Sequence, residues 1–171
     1  MQGEYMNTLA TPQDAEVILK LYDLRREAVM REARQFFVQF DPKSLDDLVT
    51  LAMSFGSKEQ AYLRQVVGYW GMAASLVSRG ALNRELAIDN FQEMFFVYAK
   101  LEPFLQGFRE KMGMPQFAHQ IQQFIESSPE ARQRVDEMKK MQADMARRRA
   151  EASPASSGIR DGSEAASAAL S

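Results

Sequence analysis

From Val66 to Val77 the chain carries no charged side chain, and glycines bracket the longer stretch around it, at Gly56 and Gly80. Within that stretch Leu63, Val66, Val67, Trp70, Ala73, Ala74 and Val77 recur mainly at steps of three, with partners one residue on. That is the helical period. Ser57 followed by Gln60 has the spacing of a capping box. Gly56 and Gly80 can supply left-handed turns on either side, and Arg79 suits the negative end of the helix dipole. The pattern predicts one helix from Ser57 to Arg79. A helix that is apolar nearly all round is a buried one. A charge-free run this short cannot span a bilayer, which takes roughly 20 residues. The stretch therefore belongs at the centre of a bundle of other helices.

Gly68, Gly71, Ser75 and Ser78 lie near one another on that helix. Each glycine costs roughly 1 kcal/mol of helix propensity relative to alanine. The offsetting gain expected here is close approach of a neighbouring helix. A ligand against the bare backbone is the sharper alternative.

The other elements follow from their punctuation. Thr11-Pro12 reads as an N-cap with proline at the first helical position, opening a helix to about Phe40, where Asp41-Pro42 stops it. Ser44 caps a short helix over Leu45 to Phe55. After Gly80 a short helical segment runs to Ile88, and Asn90 with Glu93 looks like the cap of the next helix. Pro103 should break or kink that helix near Glu102, and Pro115 should start another. Ser128-Pro129 opens a last helix to about Arg149.

With 171 residues and 46% hydrophobic content, these elements fit an all-α single domain, a bundle of about six helices with a central buried one. The expected organisation is a flexible leader over 1–10 and a bundle over 11–128. A charged, methionine-bearing terminal helix follows over 129–150, then a disordered tail over 151–171. The tail is rich in Ala, Ser and Gly and lacks the apolar surface to offset its chain entropy.

The segment from Tyr62 to Leu105 carries Leu76-Val77-Ser78-Arg79-Gly80 and Leu82-Asn83-Arg84-Glu85-Leu86. Lys100-Leu101-Glu102-Pro103-Phe104 closes the pattern. It resembles an uncharacterised bacterial all-helical family of unknown function, and Leu21 to Arg26 is similar to the start of some bacterial relatives. The resemblance implies a small, cytosolic, all-helical bacterial protein. It brings no catalytic residues.

Composition removes several chemistries. Cysteine is absent, so disulfides, thiolate metal sites and cysteine catalysis are impossible. That suits a reducing cytoplasm. No basic stretch followed by an apolar run marks a signal peptide at the N-terminus. His119 is the only histidine, which defeats di-iron Glu-x-x-His pairs and zinc motifs. Gly56-Ser57-Lys58 lacks the upstream glycine and strand of a phosphate loop. Glu85, Asp89 and Glu93 show no spacing that singles out acid–base catalysis. No cofactor, metal or catalytic residue is expected, and an enzyme is the less favoured class.

Two functional readings remain. The leading one is a non-enzymatic cytoplasmic protein-interaction or regulatory module. Its partner, or a second copy, would bind through 129–150, at Met138, Met141, Met145, Arg147, Arg148 and Arg149. Methionines make adaptable binding surfaces, and Ala131, Met138 and Met145 have heptad spacing. On this reading, removal of residues 129–171 leaves a folded core. The alternative is a small-molecule-binding bundle with a pocket beside Trp70, lined by Tyr62, Tyr69, Phe95 and Tyr98, with Arg64, Arg79 or Glu93 as polar contacts. Aromatic stripes at this spacing are more often core. Nucleic-acid binding ranks last at a net charge of -2, and no membrane association is expected.

Overall fold

A computed structural model describes residues 9–152. The expected leader up to Thr8, and the expected tail from Ser153 on, lie outside the described residues. The fold is a single all-α domain. Among the described residues it has nine α-helices: α1 (Pro12–Leu24), α2 (Ala28–Gln39), α3 (Leu45–Met53), α4 (Lys58–Ser78), α5 (Arg84–Asn90), α6 (Gln92–Leu101), α7 (Leu105–Met112), α8 (His119–Glu126) and α9 (Pro129–Ala152). A 3-10 turn over Glu102–Phe104 joins α6 to α7, where Pro103 was expected to kink the chain. The number exceeds six because the short segments on either side of Phe91 and of Pro103 stand as separate helices, and because the chain is also cut at Arg25–Glu27.

Helix α4 is the axis. It packs against α2 and α8, while α6 packs against α9. The Ser57 hydroxyl accepts from the Gln60 amide at 3.1 Å and caps its start. Gly56 and Gly80 have φ of 83° and 72°, the left-handed conformation. Ala81 N–H donates to the Leu76 carbonyl and Gly80 N–H to that of Val77, which closes the C-terminus as a Schellman motif. All seven expected apolar positions, Leu63 through Val77, are buried.

Enclosure of α4 is nevertheless incomplete, which corrects the expectation. Gly68 and Met72 are exposed, and Gly71 and Ser75 half-buried. A Cβ added to Gly68 would meet nothing within 4 Å, and one on Gly71 would meet only Gln120 Oε1 at 3.9 Å. Among the described residues no helix closes on Gly68, and α8 reaches Gly71 only with the Gln120 side chain. The run looked buried all round because small residues carry no charge, and lack of charge is not burial.

Caps at Thr11, Ser44 and Ser128 form as expected. Three other boundaries differ. The helix expected to run unbroken to Phe40 is divided at Arg25–Glu27. Asn90 does not cap α6 but belongs to α5, where its amide donates to the Leu86 carbonyl at 2.8 Å. Helix α8 begins at His119 and not at Pro115. Arg109 Nε and Nη2 hold the Phe117 carbonyl at 3.0 and 2.9 Å, and Ala118 takes a left-handed φ of 54°.

The terminal helix is part of the body. Ala131 and Val135 are fully buried, and Arg132 and Lys139 both pair with Glu102. Removal of residues 129–171 would therefore open the core, contrary to the expectation of a folded remainder. The second half of α9 runs on with Met141 and Met145 exposed, and it extends to Ala152, past the expected end.

Candidate functional site

Asp41-Pro42 ends α2 and leaves its last carbonyls without helical partners. Lys100 of α6 reaches across to them. Its Nζ donates to the carbonyls of Phe37 and Val38 at 3.0 Å each, and of Phe40 at 2.5 Å. The ammonium also sits 4.7 Å from the Phe96 ring centroid. Burial pushes Lys100 down to about 8. The three carbonyls accept only from a donor, so they oppose loss of the proton.

This clamp forms the floor of a cleft of about 250 Å³ between the end of α2, α6 and the second half of α9. Val38, Phe96, Met145 and Ala146 are its apolar walls. Lys43, Lys100 and Arg149 line it as cations, against one carboxylate, Asp41, which pairs with Lys43 at 2.5 Å. Gln142 fixes α9 over α6 by donating to the Phe96 carbonyl at 3.1 Å. The cleft offers apolar contact within a positive rim, which suits an anionic group attached to an apolar one.

Of the six residues named for partner binding, Met145 and Arg149 line this cleft. Met141 and Arg148 are exposed beside it in sequence. Arg147 pairs with Asp144 at 2.8 Å. Met138 packs against the core, so the heptad seam through Ala131 and Met138 is turned to the chain's own body.

The five aromatics named for a pocket do not meet round one. Trp70, Phe95 and Tyr98 are at most 1% exposed. Trp70 stands edge-on to Tyr69 and Phe91, and Phe95 stacks on Phe124 at 6.3 Å. Burial raises the Tyr98 hydroxyl well above its usual range. The half-buried Tyr69 donates to the Leu21 carbonyl at 2.7 Å, and burial pushes it up to about 12. Tyr62 lies nearer the surface, donating to Glu32 at 2.5 Å, a bond that raises its pKa. None of the five lines the cleft.

Beside Trp70 lies a charge cluster. Glu93 of α6 accepts from Arg25 Nη2 at 2.6 Å and from Arg34 Nε at 2.9 Å. The Arg25 guanidinium lies 5.3 Å from the Trp70 ring centroid. Arg25 Nε and Trp70 Nε1 are buried donors with no acceptor among the described residues. Arg64 and Arg79 are exposed.

A cavity larger than the cleft, about 660 Å³, lies where α1, α5 and α9 begin. Its acids serve helix starts. Asp14 accepts from the Thr11 hydroxyl at 2.6 Å, the Thr11 amide at 2.8 Å and the Asn83 amide at 2.7 Å, which hold it below the usual carboxylate range. Glu130 accepts from Ser128. Among the described residues no cluster of three or more His, Cys, Asp and Glu could hold a metal, and no helix is long and apolar enough to cross a membrane. His119 is half-buried at the first position of α8.

Lys100 escaped the sequence reading because its acceptors come from α2, far back in the chain. A signal was present: it is the one cation in the run Phe91 to Leu101, otherwise strongly apolar.

Residues 10–128 match DUF4760, a domain of unknown function, and the chain belongs to that family. The matched segment ends where α9 begins. No curated protein and no solved structure matches the chain.

Proposed function

We propose that the chain is a non-enzymatic, cytoplasmic protein-interaction module, and that the cleft between α2, α6 and α9 takes an acidic segment of a partner protein carrying an apolar anchor. One observation carries the reading. Met145 and Arg149, on an otherwise weakly held half-helix, meet Val38, Phe96 and Lys100 in one cleft. Residues 139–149 add five basic side chains against one acidic, so the field extends beyond the cleft. The absence of cysteine supports the cytoplasm as the compartment.

The test is a titration of the full chain with a fluorescent peptide of alternating glutamate and leucine, beside a lysine–leucine control. The acidic peptide should bind and the control should not. Met145→Glu or Arg149→Glu should weaken binding at least about tenfold, and added salt should weaken it further. Equal binding of both peptides, indifference to the substitutions, or preferential binding to anionic lipid vesicles would overturn the proposal.

The two unpartnered donors near Trp70 favour a second reading, a small-molecule site beside that ring. The same titration separates the two if repeated with small carboxylates. Trp70 is the only tryptophan, and its emission should shift when a ligand reaches it but not when a peptide fills the cleft.

A further inference from the structure

We infer that residues 25–27 are a hinge and that α1 is an exchangeable arm, so that two copies of this chain can pair by each seating its α1 in the other's α1 site. This goes beyond the cleft, whose residues play no part in it.

Nothing local stops the helix at the hinge. Arg25-Arg26-Glu27 holds neither glycine nor proline, and the apolar period runs through it. Glu27 stands at the N-cap of α2 without a side-chain cap bond. The bend is imposed from outside. Glu93 grips Arg25 at the end of α1 and Arg34 on α2, while Tyr69 holds the Leu21 carbonyl. Such a conflict between local preference and tertiary contact marks an element with two available states.

The arm is held lightly. Leu21 is the only fully buried residue of α1, and Leu19 and Tyr22 are 64% and 57% exposed. Beyond that, Val17 and Ile18 pack half-buried against the core, and a few directional bonds, such as that from the Asn83 amide to Asp14, complete the seat. All of these can be remade, unchanged, with a second copy, which is the condition for a swapped pair. Straightening would also restore the helical hydrogen bonds lost at the bend. The resulting continuous helix would be about 42 Å long, enough to carry α1 off its own body.

Ala28→Pro isolates the hinge. Glu27 has φ −59° and ψ 146°, the extended conformation required before proline. Ala28 is the first residue of α2, where proline is tolerated, yet proline there blocks a continuous helix. The full chain is warmed at high micromolar concentration to its unfolding midpoint, cooled, and followed by sedimentation velocity. Wild type should yield a slowly dissociating dimer with the helix content of the monomer. Ala28→Pro should remain monomeric. Glu93→Gln should increase the dimer, and Ala28→Pro in that background should abolish it. The same monomer–dimer distribution in wild type and Ala28→Pro, whether all monomer or equally dimeric, would overturn the inference. That comparison does not depend on Glu93→Gln folding, and peptide binding at the cleft should be the same in both chains.

Discussion

The ends of α4 and the break between α1 and α2 are both helix boundaries, but they are made by opposite means. At α4 the information is local: a serine hydroxyl, two left-handed glycines and a Schellman pair lie within a few residues of the termini they close. At Arg25–Glu27 the local sequence favours continuing the helix, and a carboxylate on α6 decides otherwise. A locally closed boundary survives loss of distant contacts. A boundary set from outside lasts only while its partners do.

The largest effect should therefore come from Glu93. Glu93→Ala leaves two partly buried guanidiniums without their carboxylate, and breaking such a pair should cost about 2–3 kcal/mol, given the partial exposure of the cluster. Urea unfolding measures the loss. Hydrogen exchange should show the amides of residues 25–28 altered while those at both ends of α4 keep their protection. Equal change at both boundaries would erase the contrast.

That contrast also explains what could be read in the sequence. The all-α class, the seven buried positions of α4 and the caps at Thr11, Ser44 and Ser128 are written in neighbouring residues. The bend at 25–27, the turn before His119 and the Lys100 clamp depend on side chains arriving from other elements. The cleft was half legible. Met145 and Arg149 stood out as methionine and cation on a charged helix, but nothing in their own segment says that Val38 and Lys100 face them. Aromatic spacing beside Trp70 gave rings that fill space against one another, as rings at helical period usually do. Glu93, named as a polar contact for that pocket, is bound to two arginines, and it is Arg25 whose guanidinium lies over the Trp70 ring.

Two glycines of α4 sharpen the local side of the comparison. Gly80 has a φ of 72°, so Gly80→Ala forces an L side chain into the left-handed region at a cost of about 1–2 kcal/mol. Gly68 is helical and open, with nothing within 4 Å of an added Cβ. Gly68→Ala should raise stability by about 0.5–1 kcal/mol. Thermal or urea unfolding of the two variants should thus move in opposite directions. A loss on Gly68→Ala would mean that the stripe is covered by something other than the described helices.

The smallest effect tests the tie that joins both regions, because Tyr69 of α4 holds the end of α1. Tyr69→Phe removes one half-buried hydrogen bond to the Leu21 carbonyl and should cost about 0.5 kcal/mol at neutral pH. Burial pushes the Tyr69 hydroxyl up to about 12, above the ordinary 10 of an unfolded tyrosine. The folded state therefore holds this proton more tightly than the unfolded one. The associated stability is fully present below pH 10 and is lost as pH rises through 12. Across that window wild type should lose stability more steeply than Tyr69→Phe, and the gap between them should close. Parallel curves would show that the hydroxyl ionises without strain in the fold, and that the hold on α1 comes from its other contacts, among them Glu93, the buried Leu21 and Asp14.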